Sequence, residues 1–459
     1  MIKNIIDKSL SYKNYTEIRL QRNTSKRVSF LNGNIVGNTV SSSSGVSARI
    51  YKNGSYGFAA SPMLDEEGVK NVFQTAEENA EFLDSKQKMN KPCFPAQPPI
   101  KRENDISKED KLPQKYIIDF LGDLDGYIEK KYPKLLSRTV ISPCLTMEKL
   151  LVTSDGTMSH SLVPHASLYF ILSAQDKDSN PVEIMTPVGD FGYFDDIFKN
   201  PADLYNDIDI LYSQLMDKCE GVYAEAGLKE CILHPDLAGM LAHEAVGHTT
   251  EADFVLSGSI AGEYMNKQVA SELVTMVDFA NTAFGKRCPV PVYIDDEGTQ
   301  AKDVVIIENG ILKNYMHNKE SAMHFGTEPT GNARAFSFSD EPLIRMRNTV
   351  IVPGKSKLQE MIESIEDGYY FIKTGNGQAD STGEFMFGID LGYEIKNGRL
   401  GRAIKSTTIS GVAFDMLKTV TMLSDDMAWC STGMCGKKQP IPVGMGGPAI
   451  KCRVNVGGR

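Results

Sequence analysis

Polar and apolar residues alternate along the first sixty positions of the chain, which is the period of a β-strand. The segment 15–22 alternates with its charged residues on one face, and 28–31 continues the pattern as far as Asn32-Gly33. A second such pair, Asn53-Gly54, follows after another strand-like run. Because both residues of an Asn-Gly pair tolerate positive φ, the pair is typical of a two-residue hairpin turn. The pattern therefore predicts antiparallel hairpins in this region.

Three later segments change to the period of an amphipathic helix. Apolar side chains recur at helical spacing over 65–83, and helices are also predicted over 114–131 and about 201–220. The prolines of 85–113 predict a connector, because proline removes a backbone donor and fixes φ. Residues 135–185 have strand character again.

The second half of the chain is rich in strand-like runs such as 304–307 and 349–352. Two further hairpin turns are predicted at Asn309-Gly310 and Asn397-Gly398. The C-terminal region is rich in glycine and carries three prolines, so it is predicted to be mostly loop with short strands: Pro440, Pro442 and Pro448.

These elements predict an α+β fold, with helices and antiparallel sheets segregated along the chain. The N-terminal part reads as a mixed α/β region of hairpins and amphipathic helices. We divide it into an N-terminal subdomain, 1–90, and a middle subdomain, 91–220. The C-terminal domain, 221–459, is predicted to consist of antiparallel β-sheets and one buried helix, whose motif is described below.

Composition narrows the class of protein. The 459 residues include 49 Lys and Arg against 59 Asp and Glu, which gives a formal charge of −10. Hydrophobic residues at 41% and charged residues at 24% are ordinary for a soluble globular protein. The acidic balance disfavours direct nucleic-acid binding by broad neutralisation of phosphates.

The sequence also bears on location and on the thiols. The first eight residues do not resemble a signal peptide, and no uncharged apolar window is long enough for a membrane span, so we expect a cytoplasmic protein. None of the eight cysteines forms a CxxC pair. In a reducing compartment, a functional cysteine is expected to be a ligand or a nucleophile rather than half of a disulfide.

The most informative segment is 234–248. Pro235 suits a first helical turn and Asp236 suits the positive end of a helix, while apolar residues follow at helical spacing. This predicts a largely buried helix that carries His243, Glu244 and His248. Buried imidazoles and carboxylates are costly unless they are compensated, and a metal ion is one compensation.

The spacing of the two histidines is one residue longer than in the HExxH motif of zinc proteases. Residues five apart on a regular helix point about 140° apart, against about 40° for residues four apart. A single π turn would realign them, and Gly247 would make such a distortion easy. We therefore predict an irregular or ending helix at 245–249. A hydrogen-bonded core cluster or a surface face of the helix remains open on spacing alone.

Two histidines do not complete a catalytic zinc site, which uses three protein ligands. Candidates for the third are the cysteines and four other residues: His317, His324, Glu251 and Asp253. Cys435 stands out because glycine flanks it and two lysines follow it, a setting that favours thiolate. The alternative for any one of these cysteines is a small buried apolar residue.

The run HEAVGHTTEAD, from His243 to Asp253, resembles the signature of the TldD/PmbA family, and of its TldD-type branch in particular. The resemblance continues in order through later blocks of the chain: SELVT from Ser271, DDEGT from Asp295, ENG from Glu308, PTGNAR from Pro329, CGK from Cys435 and PVG from Pro442. A weaker match in the first half is SGVSARIYKNGSYGFAA, which starts at Ser44.

The resemblance implies a zinc metallopeptidase that acts on small or unfolded polypeptides. It implies zinc ligands at His243, His248 and Cys435, with Glu244 as the general base that takes a proton from zinc-activated water. The partner branch of the family lacks the HExxxH motif, so this chain resembles the active branch. Family members assemble as dimers, which implies a homodimer or a heterodimer with a motif-lacking sister chain.

Further residues are candidates for supporting roles. Glu251 and Asp253 could orient His248, although a solvated acidic turn is the plain alternative. Gln378 and Asp380 could line a substrate channel, or could simply form a β-turn. As oxyanion stabilisers only two candidates can be named: Tyr315 and His317.

Two other functions are compatible with the sequence. One is a non-catalytic protein-binding modulator, because the family has also been called a modulator of DNA gyrase. The other is a metal-dependent amidase on a non-peptide substrate, which would use the same residues.

Overall fold

The computed structural model describes residues 11–95, 97–104, 106 and 108–458. The N-terminal residues on which the absence of a signal peptide was predicted lie outside this part. Within it, no helix combines the length and the apolar character needed to cross a membrane.

The first half of the chain builds one seven-stranded sheet. Its strands are β1 (Tyr15–Leu31), β2 (Asn34–Lys52), β3 (Ser55–Ser61), β4 (Lys101–Arg102), β5 (Ser137–Thr153), β6 (Met158–Gln175) and β7 (Pro181–Phe191). They lie in the order β3-β2-β1-β5-β6-β4, with β7 paired to β6. Every pairing is antiparallel except that of β4 with β6. Asn32 and Asn53 have φ of 48° and 51°, which confirms the two predicted hairpin turns.

Helices pack on one face of this sheet. They are α1 (Glu66–Gln87), α2 (Gln114–Lys131), α3 (Phe194–Ile197) and α4 (Tyr205–Cys219). All three predicted helices are confirmed, and α2 has the predicted bounds. The third begins with a 3-10 turn, Pro201–Leu204, before α4. Alternate residues of β1, such as Ile18 and Leu20, supply the apolar surface beneath α1.

The opposite, polar face of β1 is buried against the second half of the chain. Arg19 donates to Ser337 O at 3.0 Å and Gln21 donates to Phe336 O at 2.6 Å. The sheet runs across residue 90, since β1 pairs with both β2 and β5. The proposed subdomain division at that residue stays a prediction.

The second half contains two larger sheets. The strands of this half are β8 (Gly227–Leu233), β9 (Met276–Phe279), β10 (Thr282–Ala283), β11 (Lys286–Arg287), β12 (Val304–Glu308), β13 (Ile311–Leu312), β14 (Ala333–Arg334), β15 (Leu343–Ile344), β16 (Asn348–Ile351), β17 (Asp367–Ala379), β18 (Glu384–Lys396), β19 (Arg399–Ile404), β20 (Thr407–Val412), β21 (Met422–Leu423), β22 (Ala428–Cys435), β23 (Ile441–Gly447) and β24 (Ile450–Val456). One large sheet has six strands in the order β13-β12-β9-β16-β23-β22. The other has the order β17-β8-β24-β20-β18 and is closed by pairing of β18 with β17. In addition, β19 pairs with β18 and β21 pairs with β24.

Short helices complete this half: α5 (Pro235–Met240), α6 (Ala252–Leu256), α7 (Lys319–Phe325), α8 (Leu358–Glu363) and α9 (Ala413–Lys418). The whole is an α+β fold, as predicted. The helix that carries the motif lies between the two larger sheets, because α5 contacts β17 on one side and β22 and β23 on the other. Its position explains why its apolar residues belong to the largest core, among them Leu237, Leu241 and Val246.

The prediction that the C-terminal region is mostly loop is wrong. Strands β22, β23 and β24 span most of it. The glycines of β23 serve close packing rather than flexibility, since a Cβ on Gly444 would lie 2.6 Å from Asn348 Oδ1. Pro442 is tolerated because it lies outside the part of β23 that pairs with β16, so its missing N–H breaks no bond to that strand.

The motif helix and β23 approach each other at the level of the backbone. A Cβ on Gly239 would lie 2.7 Å from Gly446 N. We therefore expect Gly239→Ala to lower the free energy of unfolding by about 1–3 kcal/mol, because neither backbone can yield without strain. Urea unfolding checks this value.

The matched control for this substitution is Gly126→Ala. Gly126 is an exposed helical glycine of α2, and nothing lies within 4 Å of a Cβ built there. This substitution should stabilise the chain by up to about 1 kcal/mol through helix propensity. Equal unfolding behaviour of the two variants would contradict the close approach.

Candidate metal centre

The motif helix begins with Pro235 in its first turn, as predicted, and then changes its hydrogen-bond period. The side chain of His234 accepts from Asp236 N, and Pro235 occupies the first turn of α5. A π segment, Leu241–Gly247, follows α5, and a 3-10 turn, His248–Thr250, follows the π segment. The predicted irregular helix is confirmed, although it starts at residue 241 rather than 245.

Gly247 has a different role from the one expected of it. Its φ of −57° is ordinary for a helix, so the conformational freedom of glycine is not used there. A Cβ at this position would instead collide with Met346 Sδ. The glycine therefore permits close packing of the helix against the Met346 side chain.

The π segment brings both histidines of the motif to one point. Ligand atoms of His243, His248 and Cys435 all lie within 4.8 Å of one another. The two imidazole rings are 5.1 Å apart at an angle of 80°, and His248 Nε2 lies 3.4 Å from Cys435 Sγ. The extra residue of HExxxH is absorbed by the wider turn, so the two side chains face the same space.

The burial of this cluster fits a metal ion. His243 is fully buried, and neither of its ring nitrogens has a hydrogen-bond partner among the described residues. A buried polar group without a partner is costly, and a metal would remove that cost. Two imidazole nitrogens and one thiolate sulfur are a donor set that suits zinc and leave a fourth position open.

The electrostatics of the cluster favour thiolate. Burial by itself would raise the pKa of Cys435, but the adjacent imidazoles of His243 and His248 lower that pKa to about 3. Burial would lower the pKa of His248, but the Glu251 carboxylate and the Cys435 sulfur raise it to about 10. These pKa shifts predict a thiolate beside an imidazolium in the metal-free site, so metal binding is expected to release the imidazolium proton.

Glu244 lies beside this cluster and is partly open to solvent. Its Oε2 is 3.7 Å from His248 Nε2, and 26% of its side chain is exposed. The carboxylate therefore lies near the same His248 nitrogen that faces Cys435.

Glu251 contacts the other nitrogen of His248, as predicted. His248 Nδ1 lies 2.8 Å from Glu251 Oε2, and the Glu251 side chain has no exposed surface. Asp253 does not contact His248; its carboxylate accepts from Lys437 Nζ at 2.7 and 2.9 Å. A carboxylate on the outer nitrogen of an imidazole ligand orients the ring and fixes its tautomer.

Cys435 is held in place through its backbone. It ends β22, and its carbonyl accepts from Arg345 Nη2 at 2.8 Å. The other guanidinium nitrogen of Arg345, Nη1, donates to Gln439 O at 2.9 Å. The sequence analysis did not identify Arg345 or Lys437 as residues of the site. Lys437 could have been identified, because it belongs to the same CGK block as Cys435.

The remaining candidate ligands are outside the cluster. His317 Nδ1 lies 3.0 Å from Ser321 Oγ, and His324 is exposed on α7. The Tyr315 hydroxyl donates to Ala261 O at 2.9 Å and is buried, so that donor is already used.

The two residues considered for a substrate channel lie on the β17–β18 hairpin. Asp380 accepts from the backbone N–H of Thr382 at 2.9 Å, which is the turn geometry named as the alternative. Gln378 is exposed near the end of β17.

The comparison with known families agrees with this architecture. A family model described as PmbA/TldA metallopeptidase C-terminal domain matches residues 227–458, and one described as PmbA/TldA metallopeptidase domain 1 matches residues 16–80. The two matched segments thus fall within a class of metallopeptidase domains. The chain belongs to the TldD/PmbA family.

Two relatives are similar over almost the whole chain. A zinc metalloprotease TldD homolog of Saccharolobus solfataricus is 31% identical over 428 residues, which cover 90% of each chain. A metalloprotease of Methanocaldococcus jannaschii is 31% identical over 461 residues, 97% of each chain.

Solved structures share the fold. TldE from Thermococcus kodakarensis has a TM-score of 0.77 at 18% identity and covers 97% of each chain. A protein of Thermotoga maritima described as a modulator of a DNA gyrase has a TM-score of 0.77 at 19% identity, with coverage of 97% of this chain and 95% of that one.

The lowered pKa of Cys435, about 3, predicts thiolate in the metal-free chain throughout the range from about pH 5 to about pH 8. The ultraviolet thiolate absorbance of the metal-free chain, minus that of Cys435→Ser, should therefore be constant over this range. An ordinary thiol would gain this absorbance only near pH 8 and above, at about its usual pKa. A difference signal that appears only at alkaline pH would contradict the thiolate assignment.

Proposed function

We propose that this chain is a zinc-dependent metallopeptidase that hydrolyses peptide bonds of small or unfolded polypeptides. The observation that carries the proposal is the convergence of His243, His248 and Cys435 on one buried point beside Glu244. Membership of a metallopeptidase family, and relatives named as metalloproteases, support the same function.

The three residues would hold zinc by two imidazole nitrogens and one thiolate. A bound zinc ion supplies an acidified water and polarises the scissile carbonyl. Glu251 keeps the His248 ring in the tautomer that donates from Nδ1, which leaves Nε2 free for the metal. The site residues thus divide into those that bind metal and those that orient the ligands.

Glu244 acts as the general base. Its Oε2 accepts a proton from the attacking water and returns that proton to the amine nitrogen of the departing peptide. The partial exposure of its side chain allows the carboxylate to contact both water and substrate.

Substrate class and assembly are further parts of the proposal. The relatives named as metalloproteases favour a polypeptide over the small amide of an amidase. A homodimer, or a heterodimer with a motif-lacking sister chain, stays a prediction, as does a cytoplasmic location.

Glu244→Gln tests the function directly. This variant should keep stoichiometric zinc and lose peptide cleavage by about 10²- to 10⁴-fold, because the ligands remain while the proton acceptor is removed. Metal analysis of the purified chain and cleavage of a library of unstructured peptides measure the two effects. Glu263→Gln, which removes an exposed carboxylate from the same region, should leave both unchanged.

Three results would overturn the proposal. A wild-type chain without stoichiometric divalent metal would exclude a zinc hydrolase. Undiminished cleavage by zinc-loaded Glu244→Gln would remove Glu244 from the mechanism. Hydrolysis of small amides without cleavage of any peptide would indicate the amidase instead.

A further inference from the structure

Lys437 connects the two sides of the candidate metal centre. Its ammonium lies 3.2 Å from Glu251 Oε2, 2.7 Å from Asp253 Oδ2 and 3.0 Å from Ile344 O. The three ammonium protons are donated to Asp253 Oδ1, Asp253 Oδ2 and Ile344 O, and the contact with Glu251 Oε2 is an ion pair. The side chain is 8% exposed, so these contacts form largely away from water.

Glu251 depends on such a cation. Its side chain is fully buried, and its Oε1 has no hydrogen-bond partner among the described residues. Its Oε2 is shared between His248 Nδ1 and Lys437 Nζ. An isolated buried carboxylate is strongly disfavoured, and removal of one partner from a buried charge pair leaves the other charge uncompensated. Lys437 therefore stabilises the carboxylate in the position from which it orients His248.

The backbone holds Lys437 and Cys435 as one unit. The two residues are separated only by Gly436, and both are tied to neighbouring positions of one segment, Lys437 to Ile344 O and Cys435 to the guanidinium of Arg345. A displacement of this segment would move the thiolate and the cation together. His248 is thus linked to Cys435 directly, by the 3.4 Å contact, and indirectly through Glu251 and Lys437.

We propose that Lys437 is a positioning residue of the metal centre, which acts through Glu251 to hold His248 in register with Cys435. The inference rests on the metal centre of the proposed function and adds a cation that touches neither metal nor substrate. Lys437, which follows Cys435 by two positions, would thus support His248 on the opposite side of the site.

Zinc affinity of the full-length chain tests the inference, with Zn²⁺ alone as the probe and a competing chelator. Lys437→Gln should raise the dissociation constant by about 10- to 100-fold, the usual effect of losing a group that orients a metal ligand. Lys437→Arg keeps a cation in reach of both carboxylates and should recover most of that loss. In the Co²⁺-loaded chain, Lys437→Gln should also shift the thiolate-to-cobalt absorption, since His248 and Cys435 share the ion.

A double substitution separates a positioning role from a merely structural one. If Lys437 acts through Glu251, Glu251→Gln/Lys437→Gln should bind zinc no more weakly than Glu251→Gln alone. Additive losses would overturn the inference, and so would equal losses in Lys437→Arg and Lys437→Gln.

The neighbouring lysine is the matched control. Lys438 is exposed, and its side chain makes no hydrogen bond, ion pair or ring contact within the described part of the chain, so Lys438→Gln removes the same charge from the same segment. Its dissociation constant should stay within about twofold of wild type. Circular dichroism of each metal-free variant checks that the fold is retained.

The outcomes distinguish this inference from the proposed function. A wild-type chain that binds no Zn²⁺ overturns both together. A wild-type chain that binds Zn²⁺ while Lys437→Gln binds it equally well, with the same cobalt spectrum, overturns the role of Lys437 alone and leaves the peptidase intact.

Discussion

The five-residue separation of His243 and His248 on a buried helix is the constraint on which the site depends. A regular helix would point the two imidazoles about 140° apart, so the chain must widen one turn to bring them together. The π segment does so in a narrow space, because the helix lies between two sheets and meets β23 at backbone distance. Gly239 and Gly247 permit the close packing that this space requires.

Burial then determines which other residues the site requires. A buried thiolate, an imidazole and a carboxylate cannot coexist without compensation, and each charge here has a partner of opposite sign or a donor. The Glu251 carboxylate contacts His248 on one side and the Lys437 ammonium on the other, and Asp253 forms a second ion pair with Lys437. Residues of the second half of the chain form this arrangement. The first half packs against a loop of the second half, at Phe336 and Ser337, through the polar face of β1.

Local patterns predicted much of the fold, and the family resemblance implied the three residues that converge at the candidate site. The apolar period of 114–131 predicted the bounds of α2. The spacing of HExxxH predicted a distorted turn at 245–249, and the structure has a π segment at Leu241–Gly247. Contacts between distant segments escaped prediction because they depend on packing. The glycines near β23 looked like loop residues, yet they allow close approach of strands, and Arg345 gave no local sign that it holds Cys435. Lys437 could be associated with Cys435 from sequence, but not with Glu251, which lies 186 positions earlier.

The central claim is that two imidazoles and one thiolate bind a single ion at the widened turn. X-ray absorption at the zinc edge of the zinc-loaded chain tests it most directly. The account predicts one sulfur at about 2.3 Å and two imidazole nitrogens at about 2.0 Å, with the sulfur lost in Cys435→Ser. A shell without sulfur, or with only one imidazole, would contradict it.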